Sequence, residues 1–223
     1  MSNKHIQQQD QWGEASSELS SEVIKLASYD RLLLKKLGDL VGVKILDYGC
    51  GPGVLLKELN LKGANAYGFD VSEKLIIEAR KQLSSSRLFT TLDFKNNFDV
   101  IICNLVLCIV DETEVEKIMN NVSKLLKPNG RVYVGFCNPK IFNIEESQLD
   151  FREKTNCTYC DNHEYTKTKK EGGYTIIEKH RPIEWYRNVY KKAGFKIAHE
   201  HYTEKYRCNG CEVEDFIIFE LTN

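Results

Sequence analysis

An acidic residue followed by three glycines at alternate positions is the part of this sequence best suited to chemistry. Asp47, Gly49, Gly51 and Gly53 follow an apolar run that begins at Val43. Glycine adopts backbone conformations with positive φ and lets a ligand approach where a Cβ atom would clash. The pattern therefore predicts a cofactor-binding loop between a strand and a helix.

The spacing of this loop differs from the G-x-G-x-x-G of dinucleotide-binding folds, which place a pyrophosphate at a helix N-terminus. Asp47 would repel phosphate and attract an ammonium group, so we expect a ligand with a positive charge nearby. A second acid, Asp70, ends the next apolar run. A carboxylate can accept hydrogen bonds from both hydroxyls of a vicinal diol. Ser72 suits the N-cap of the following helix, which leaves Asp70 available for a ligand.

The glycine loop and the distant acid together resemble the class I S-adenosylmethionine-dependent methyltransferases, whose first motif is an acid followed by G-x-G-x-G. The resemblance implies that the loop, with Cys50 inside it, packs against the methionine part of S-adenosyl-L-methionine. It also implies that Asp70 binds the ribose hydroxyls and that Val71 belongs to the same cofactor site. Leu125–Phe136, which reads LLKPNGRVYVGF, is similar to the L-K-P-G-G that often precedes the family's fifth strand. The resemblance extends over residues 43–136.

Further cofactor contacts are implied by the same resemblance. Asn104 and Leu105, at the end of the fourth predicted strand, match the position that lines the methionine and the methyl acceptor. For the adenine the family commonly uses an acid after the third strand, and here that acid falls late. Either Asp93 or backbone groups around Leu92 are therefore expected to contact the adenine amine. Trp12 is expected either to close over the cofactor or to anchor the first helix.

Alternating apolar runs and helical patterns predict the elements that hold these residues. They favour one α/β domain with a parallel sheet and helices on both faces. The dipeptide Asn209-Gly210 predicts a hairpin turn between the last two strands. The resemblance implies that these two strands make the sheet seven-stranded and mostly parallel, with an antiparallel edge strand. Thr113 and Glu116 form a capping-box pattern at the start of one helix. The predicted strands are residues 43–48, 65–70, 87–92, 98–104, 131–136, 195–206 and 213–221. The predicted parts of the domain are an N-terminal helical cover (1–42, helical over 14–40), a cofactor-binding core (43–136, with helices at 53–60 and 72–83), a lid insertion after strand five (137–180), and a last helix with a strand hairpin (181–223).

Composition excludes several classes of protein. The 223 residues carry a net charge of -1, with lysines and acids interspersed, so there is no wide basic field of the kind that nucleic-acid binding needs. No apolar run approaches membrane-spanning length, and the polar N-terminus lacks a signal-peptide core. We therefore expect a soluble cytoplasmic protein with neither a nucleic-acid nor a membrane partner.

Two C-x-x-C pairs, separated by a long stretch of chain, follow the spacing of a zinc site. The insertion and the turn between the last two strands are both expected at the carboxyl edge of the sheet, where four thiolates could meet. A structural zinc ion that staples the lid is the leading interpretation, with His163 as an alternative ligand. A redox pair and unrelated free thiols remain the other readings. The predicted ligands are Cys157, Cys160, Cys208 and Cys211.

Methyl transfer requires alignment of acceptor and donor and, for some acceptors, removal of a proton. His180, which precedes the last helix, is the candidate base, with His163 as the alternative if it binds no metal, although a histidine on a loop is more often simply solvated. The remaining cysteines are expected to act as small buried hydrophobes. Among them Cys137, at a strand end, is the one to test for a chemical role.

The leading prediction is a methyltransferase for a small molecule or short peptide, with residues 137–180 as the acceptor lid. The first alternative is an RNA or protein methyltransferase, which the lysine cluster 167–170 would favour. The second is an inactive cofactor-binding module or a zinc-dependent interaction module.

Overall fold

The computed structural model describes residues 25–81, 87–93, 95 and 97–223. The strands are β1 (Lys44–Tyr48), β2 (Asn65–Phe69), β3 (Leu88–Phe89), β4 (Phe98–Asn104), β5 (Leu126–Cys137), β6 (Asp150–Arg152), β7 (His163–Lys169), β8 (Thr175–His180), β9 (Lys196–Tyr202), β10 (Tyr206–Cys208), β11 (Cys211–Val213) and β12 (Phe216–Thr222). The α-helices are α1 (Arg31–Leu37), α2 (Val54–Leu61), α3 (Glu73–Ala79), α4 (Glu112–Leu125) and α5 (Ile183–Lys192).

A seven-stranded sheet has the order β3-β2-β1-β4-β5-β12-β9. The pairs from β3 to β5 are parallel, whereas β12 is antiparallel to both β5 and β9. The predicted α/β fold with a mostly parallel sheet is therefore confirmed. The last two strands of the sheet, β9 and β12, form the predicted antiparallel pair at its edge, with β12 between β5 and the edge strand β9.

The sheet separates two apolar cores, as expected for strands covered on both faces. On one face, residues such as Ile101 and Val132 pack against α4 and α5. On the other face, residues such as Ile45 and Ile102 pack against α1, α2 and α3. Within the described ranges, none of these helices is long and apolar enough to cross a bilayer.

The described part of the helical cover before the sheet contains one irregular turn. A π-helical turn spans Leu26–Asp30, and α1 begins at Arg31. Tyr29, Leu33 and Leu37 are fully or almost fully buried against the second core. The cover is therefore packed onto the sheet from residue 29 onwards.

Two predicted element ends were wrong. The N-cap of α4 is Asp111, whose side chain accepts a hydrogen bond from the Glu114 N–H at 2.9 Å, and the Thr113 hydroxyl donates to the same carboxylate. Aspartate is a stronger N-cap than threonine, so the N-cap lies two residues before Thr113, the N-cap of the predicted capping box. The third strand is only Leu88–Phe89, since Thr90 and Thr91 are exposed.

The insertion after β5 forms a three-stranded antiparallel sheet, β6-β7-β8, which the sequence did not predict. The predicted hairpin turn at Asn209 and Gly210 is confirmed by their φ values of 48° and 82°. An Asn-Gly pair with positive φ at both residues is typical of a tight two-residue hairpin. This turn joins β10 to β11, a separate two-stranded ribbon, so residues 195–206 form two strands rather than one.

Candidate functional site

The glycine loop follows β1 directly and leads into α2. Gly49, Gly51 and Gly53 have φ values of 84°, 53° and 84°, so all three adopt backbone conformations that L side chains rarely take. A Cβ atom on Gly49 would lie 2.3 Å from Cγ2 of Val106, whereas one on Gly51 would meet nothing within 4 Å. Gly49 is therefore required by packing, and Gly51 leaves open space for a ligand.

The loop lies where the strand order of the sheet reverses. From β1 the order runs to β2 and β3 on one side and to β4 and β5 on the other. Open α/β sheets bind ligands in the crevice at the carboxyl ends of the strands at such a switch point. Asp70 follows β2 and Asn104 ends β4, so both flank the glycine loop at this edge.

Asp70 is held rigidly beside the loop. Its Oδ2 accepts a hydrogen bond from the Gly51 N–H at 3.0 Å, and its Oδ1 accepts one from the Ser72 N–H at 2.9 Å. Burial raises the pKa of this carboxyl, although the two N–H donors oppose the shift. Each carboxylate oxygen has a further lone pair for a ligand. The neighbouring Val71 is 59% exposed, an apolar surface next to the same crevice.

Asp47 is the more deeply buried of the two acids. Burial raises its pKa to about 7; Lys25 acts in the opposite direction, and Asp30 and Asp70 add to the rise. A carboxylate in this state is stabilised by any cation that arrives beside it. The electrostatics of the loop therefore suit a positively charged ligand, as the spacing indicated.

Asn104 is fixed from the opposite face by a residue that the sequence analysis missed. The Tyr29 hydroxyl donates to Asn104 Oδ1 at 2.5 Å, and burial raises the pKa of that phenol, so it stays protonated. The contact depends on Gly135 in β5, where a Cβ atom would lie 1.7 Å from the Tyr29 oxygen. A glycine inside a strand is a sign of close approach by another group, and Gly135 is the signal that could have revealed Tyr29.

Replacing Tyr29 by phenylalanine is expected to lower the free energy of unfolding by about 1–3 kcal/mol, because the partly buried Asn104 oxygen loses its donor. Urea unfolding of the wild-type protein, Tyr29→Phe, Asn104→Ala and the double variant measures the effect as a double-mutant cycle. We expect the two single losses to overlap. Strictly additive losses would contradict a direct contribution from this hydrogen bond.

The contacts of the other predicted cofactor residues do not by themselves indicate a cofactor site. Leu105 has φ 57° and donates its N–H to the Gly135 carbonyl at 2.8 Å, so the chain turns sharply away from the sheet at the end of β4. Asp93 is exposed after the short β3, and Leu92 is half-buried against the first core. The choice between them for the adenine stays a prediction. Trp12 lies outside the described residues.

His180 is 3% exposed and is not a solvated loop residue. Its Nε2 lies 2.9 Å from the Tyr159 carbonyl oxygen, and its ring packs on Phe142 and His163 at centroid distances of 4.4 and 4.8 Å. Burial lowers the pKa of this imidazole. These contacts belong to the packing of the insertion, so the role of His180 as a base stays a prediction without geometric support.

The first C-x-x-C pair lies at the beginning of β7. Cys157 and Cys160 are both exposed. Tyr159 between them accepts a hydrogen bond from the Ile183 N–H at 2.9 Å, which fixes this loop against the start of α5. The pair is thus held beside the last helix.

The second pair, Cys208 and Cys211, faces across the β10–β11 ribbon at the other end of β7. Asn209 in its turn contacts Glu146 at 2.5 Å, and Glu146 also pairs with Lys170, just past the end of β7. A seven-residue strand spans about 20 Å, far beyond the reach of Zn–S bonds of about 2.3 Å. Among the described residues, no group of three or more His, Cys, Asp or Glu side chains is arranged to hold a metal. The predicted zinc staple, with or without His163, is therefore not supported.

A buried group of charged side chains ties the insertion to the end of β5 instead. Lys167 Nζ lies 2.6 Å from Glu178 Oε1, 2.9 Å from Cys137 Sγ and 3.7 Å from Asp150 Oδ2. The Tyr165 hydroxyl donates to Glu178 Oε2 at 2.7 Å. Burial raises the pKa of Asp150, but Lys167 and then Arg152 outweigh it, so that the pKa falls below its ordinary value. We refer to Cys137, Asp150, Lys167 and Glu178 as the lid-base cluster.

Comparison with known proteins agrees with this geometry. Residues 39–181 match a family model described as a methyltransferase domain. The ubiquinone biosynthesis O-methyltransferase of Actinobacillus pleuropneumoniae is 33% identical over 118 residues, which cover 47% of this chain and 50% of that protein. The demethylmenaquinone methyltransferase of Tropheryma whipplei is 28% identical over 124 residues, which cover 52% of this chain and 51% of that protein. The chain thus spans about half the length of the curated relatives it matches.

Solved structures share the fold over most of the chain. An S-adenosylmethionine-dependent methyltransferase from Mesorhizobium loti superposes with a TM-score of 0.65 at 19% identity, covering 86% of this chain and 96% of that one. The magnesium protoporphyrin IX methyltransferase of Synechocystis PCC 6803 with bound SAM has a TM-score of 0.54 at 19% identity, covering 94% of this chain and 78% of that one. Because the family match covers well over half of the sequence and includes the whole switch-point crevice, the chain belongs to the class I S-adenosylmethionine-dependent methyltransferases.

Proposed function

We propose that this chain transfers a methyl group from S-adenosyl-L-methionine to a small-molecule acceptor. The observation that carries the proposal is the crevice at the ends of β1 and β4, where open space at Gly51 lies next to the buried carboxylates of Asp47 and Asp70. A ligand that suits it has a cationic part and a vicinal diol. S-adenosyl-L-methionine has both.

Each residue of the crevice has a defined task in this proposal. The bound cofactor supplies a methyl group already activated on a sulfonium. Asp47 provides negative charge towards the cationic part, and the space at Gly51 admits the ligand against the backbone. Asp70 accepts the ribose hydroxyls through the lone pairs that its two N–H donors leave free. Asn104, held by Tyr29, and the turn at Leu105 line the side towards the acceptor.

The acceptor class is inferred from the lid and from the relatives. The insertion sheet covers the carboxyl end of β5 and is closed there by the lid-base cluster, which favours an enclosed acceptor over an extended polymer. Relatives and structural neighbours include proteins named for ubiquinone biosynthesis, demethylmenaquinone and magnesium protoporphyrin IX. We infer a small organic acceptor for this chain.

The lysine cluster 167–170 gives little support to the alternative of an RNA or protein methyltransferase. Lys167 and Lys169 are only 2% and 6% exposed, because their side chains point to the inner face of the insertion sheet. The lysine cluster therefore offers Lys170 alone as an exposed basic residue. The proposal does not include zinc, and it keeps a cytoplasmic location, which the eight free thiols favour.

The substitution Asp70→Ala tests the cofactor assignment. It is expected to weaken S-adenosyl-L-methionine binding by about 1–3 kcal/mol, or 5- to 150-fold, because charged hydrogen bonds to the ribose are lost. Titration calorimetry measures the affinity. The matched control is Asp39→Ala, an exposed aspartate before β1 at the opposite edge of the sheet. Unchanged affinity in Asp70→Ala, or an equal loss in the control, would remove Asp70 from the site.

A further inference from the structure

Lys167 and Cys137 make an unusual buried contact at the base of the insertion. Nζ of Lys167 lies 2.9 Å from Sγ of Cys137, and the two residues are 2% and 8% exposed. Cys137 ends β5, whereas Lys167 lies in the middle of β7, so the contact joins the main sheet to the insertion sheet. A single oxygen atom with ordinary bonds to nitrogen and sulfur would span close to this separation.

Glu178 can accept the proton that the Lys167 ammonium must lose before such a bond forms. Glu178 Oε1 lies 2.6 Å from Lys167 Nζ and 3.8 Å from Cys137 Sγ. Cys108 also has its sulfur 3.8 Å from the same oxygen. Of these two thiols, Cys137 is the one that lies 2.9 Å from Lys167 Nζ, so Cys108 serves as an internal comparison. Burial, first of all, raises the pKa of the Cys137 thiol to about 11, so we expect any oxidation to be slow.

We propose that Cys137 and Lys167 form an oxygen-bridged crosslink, Cys-S–O–NH-Lys, when the protein is exposed to dioxygen. The S–H bond, one N–H bond and the O–O bond break, and one S–O bond, one N–O bond and two O–H bonds form. One oxygen atom enters the bridge and the other leaves as water with the two hydrogens. Sulfur and nitrogen lose two electrons each, and dioxygen gains four. Before these steps the Lys167 ammonium passes one proton to Glu178, so that the neutral amine reacts.

The crosslink would fix the lid to the sheet without any metal. It would connect β7 covalently to the end of β5, where the two are otherwise joined by hydrogen bonds and ion pairs of the lid-base cluster. Two equivalents of a dithiol reductant, which supply four electrons and four hydrogens, would break both the S–O and the N–O bond, restore the thiol and the amine, and release the bridging oxygen as water. This modification site is independent of the methyl acceptor.

Mass spectrometry of the intact chain tests the crosslink. After reduction, removal of the reductant and incubation in air-saturated buffer, we expect a gain of about 14 Da, one oxygen less two hydrogens, which a thiol reductant reverses. Digestion should then yield one linked pair of peptides that contains residues 137 and 167. Cys108→Ala should behave as the wild-type protein does.

Two variants should lose the modification. Cys137→Ser removes the sulfur, and Lys167→Arg removes the primary amine while keeping a cation beside Glu178 and Asp150. Circular dichroism tests whether both variants are folded. The peptide map of the wild-type protein locates the bridge independently of the variants. A wild-type protein that stays unmodified, a bridge to another residue, or a gain that persists in Lys167→Arg would overturn the proposal.

Discussion

Replacing Lys167 by methionine is expected to lower the free energy of unfolding by about 3–5 kcal/mol, because removal of one partner leaves buried charges uncompensated. The Lys167 ammonium faces both Glu178 and Asp150, and all three side chains are at most 4% exposed. Methionine fills a similar volume but offers neither carboxylate a charge. Most of the loss should therefore come from Glu178, since Asp150 keeps Arg152 at 2.7 Å.

Lys179→Met is the matched control, because Lys179 lies on the neighbouring strand and pairs with the half-exposed Glu164. An exposed pair of this kind contributes about 0–1 kcal/mol. Urea unfolding of both variants should separate them clearly. Adding Glu178→Gln to Lys167→Met should recover part of the loss, because the uncompensated charge is then gone. Similar small effects of Lys167→Met and Lys179→Met would mean that water reaches the lid-base cluster.

Replacing Asp47 by asparagine is expected to stabilise the ligand-free protein at pH 8 by on the order of 4 kcal/mol. The folded protein raises the pKa of this carboxyl to about 7, with burial as the main cause. Between about pH 4 and pH 7 the unfolded chain has lost this proton and the folded chain keeps it, so wild-type stability falls as the pH rises. Above pH 7 both states are ionised and the penalty is constant. Asparagine does not ionise, so the variant does not incur this free-energy penalty of burying a charged carboxylate.

Unfolding in urea at pH 5 and pH 8, without ligand, measures this difference. The advantage of Asp47→Asn should be larger at pH 8, and the same variant should bind S-adenosyl-L-methionine more weakly under the proposed function. Asp70→Asn is the contrasting control, because its amide cannot accept from both the Gly51 and Ser72 N–H groups. It should gain no stability. An advantage of Asp47→Asn that is equal at the two pH values would show that Asp47 does not titrate in this range.

The cofactor half of the site could be predicted because its signals are local. An acid, three alternating glycines and a second acid after the next strand lie within 24 residues, and the parallel sheet brings their ends to one edge. Each of those residues is required by its own backbone conformation or charge. Tyr29 differs, because its contact with Asn104 crosses 75 residues and leaves only Gly135 as a trace in the sequence.

The insertion could not be predicted for a physical reason. Lys167, Glu178 and Asp150 are residue types that usually lie at the surface, and they are buried here only because they pair with one another across three strands. The sequence pattern therefore predicted a lid insertion at residues 137–180 without assigning strands to it. The predicted zinc site is not supported for a similar reason. The C-x-x-C spacing describes each pair of cysteines by itself, but it does not reveal that the two pairs lie near opposite ends of β7.

The position of β12 between β5 and β9 has a consequence for synthesis of the chain. β5 ends at Cys137 and its partner begins at Phe216, so the ribosome must make the insertion, α5 and β9 before the two can pair. Until then one edge of β5 has free backbone N–H and C=O groups and can recruit other strands. A nascent chain that stalls before Phe216 therefore exposes the unpaired edge of β5, which rapid completion of the chain or a chaperone would protect.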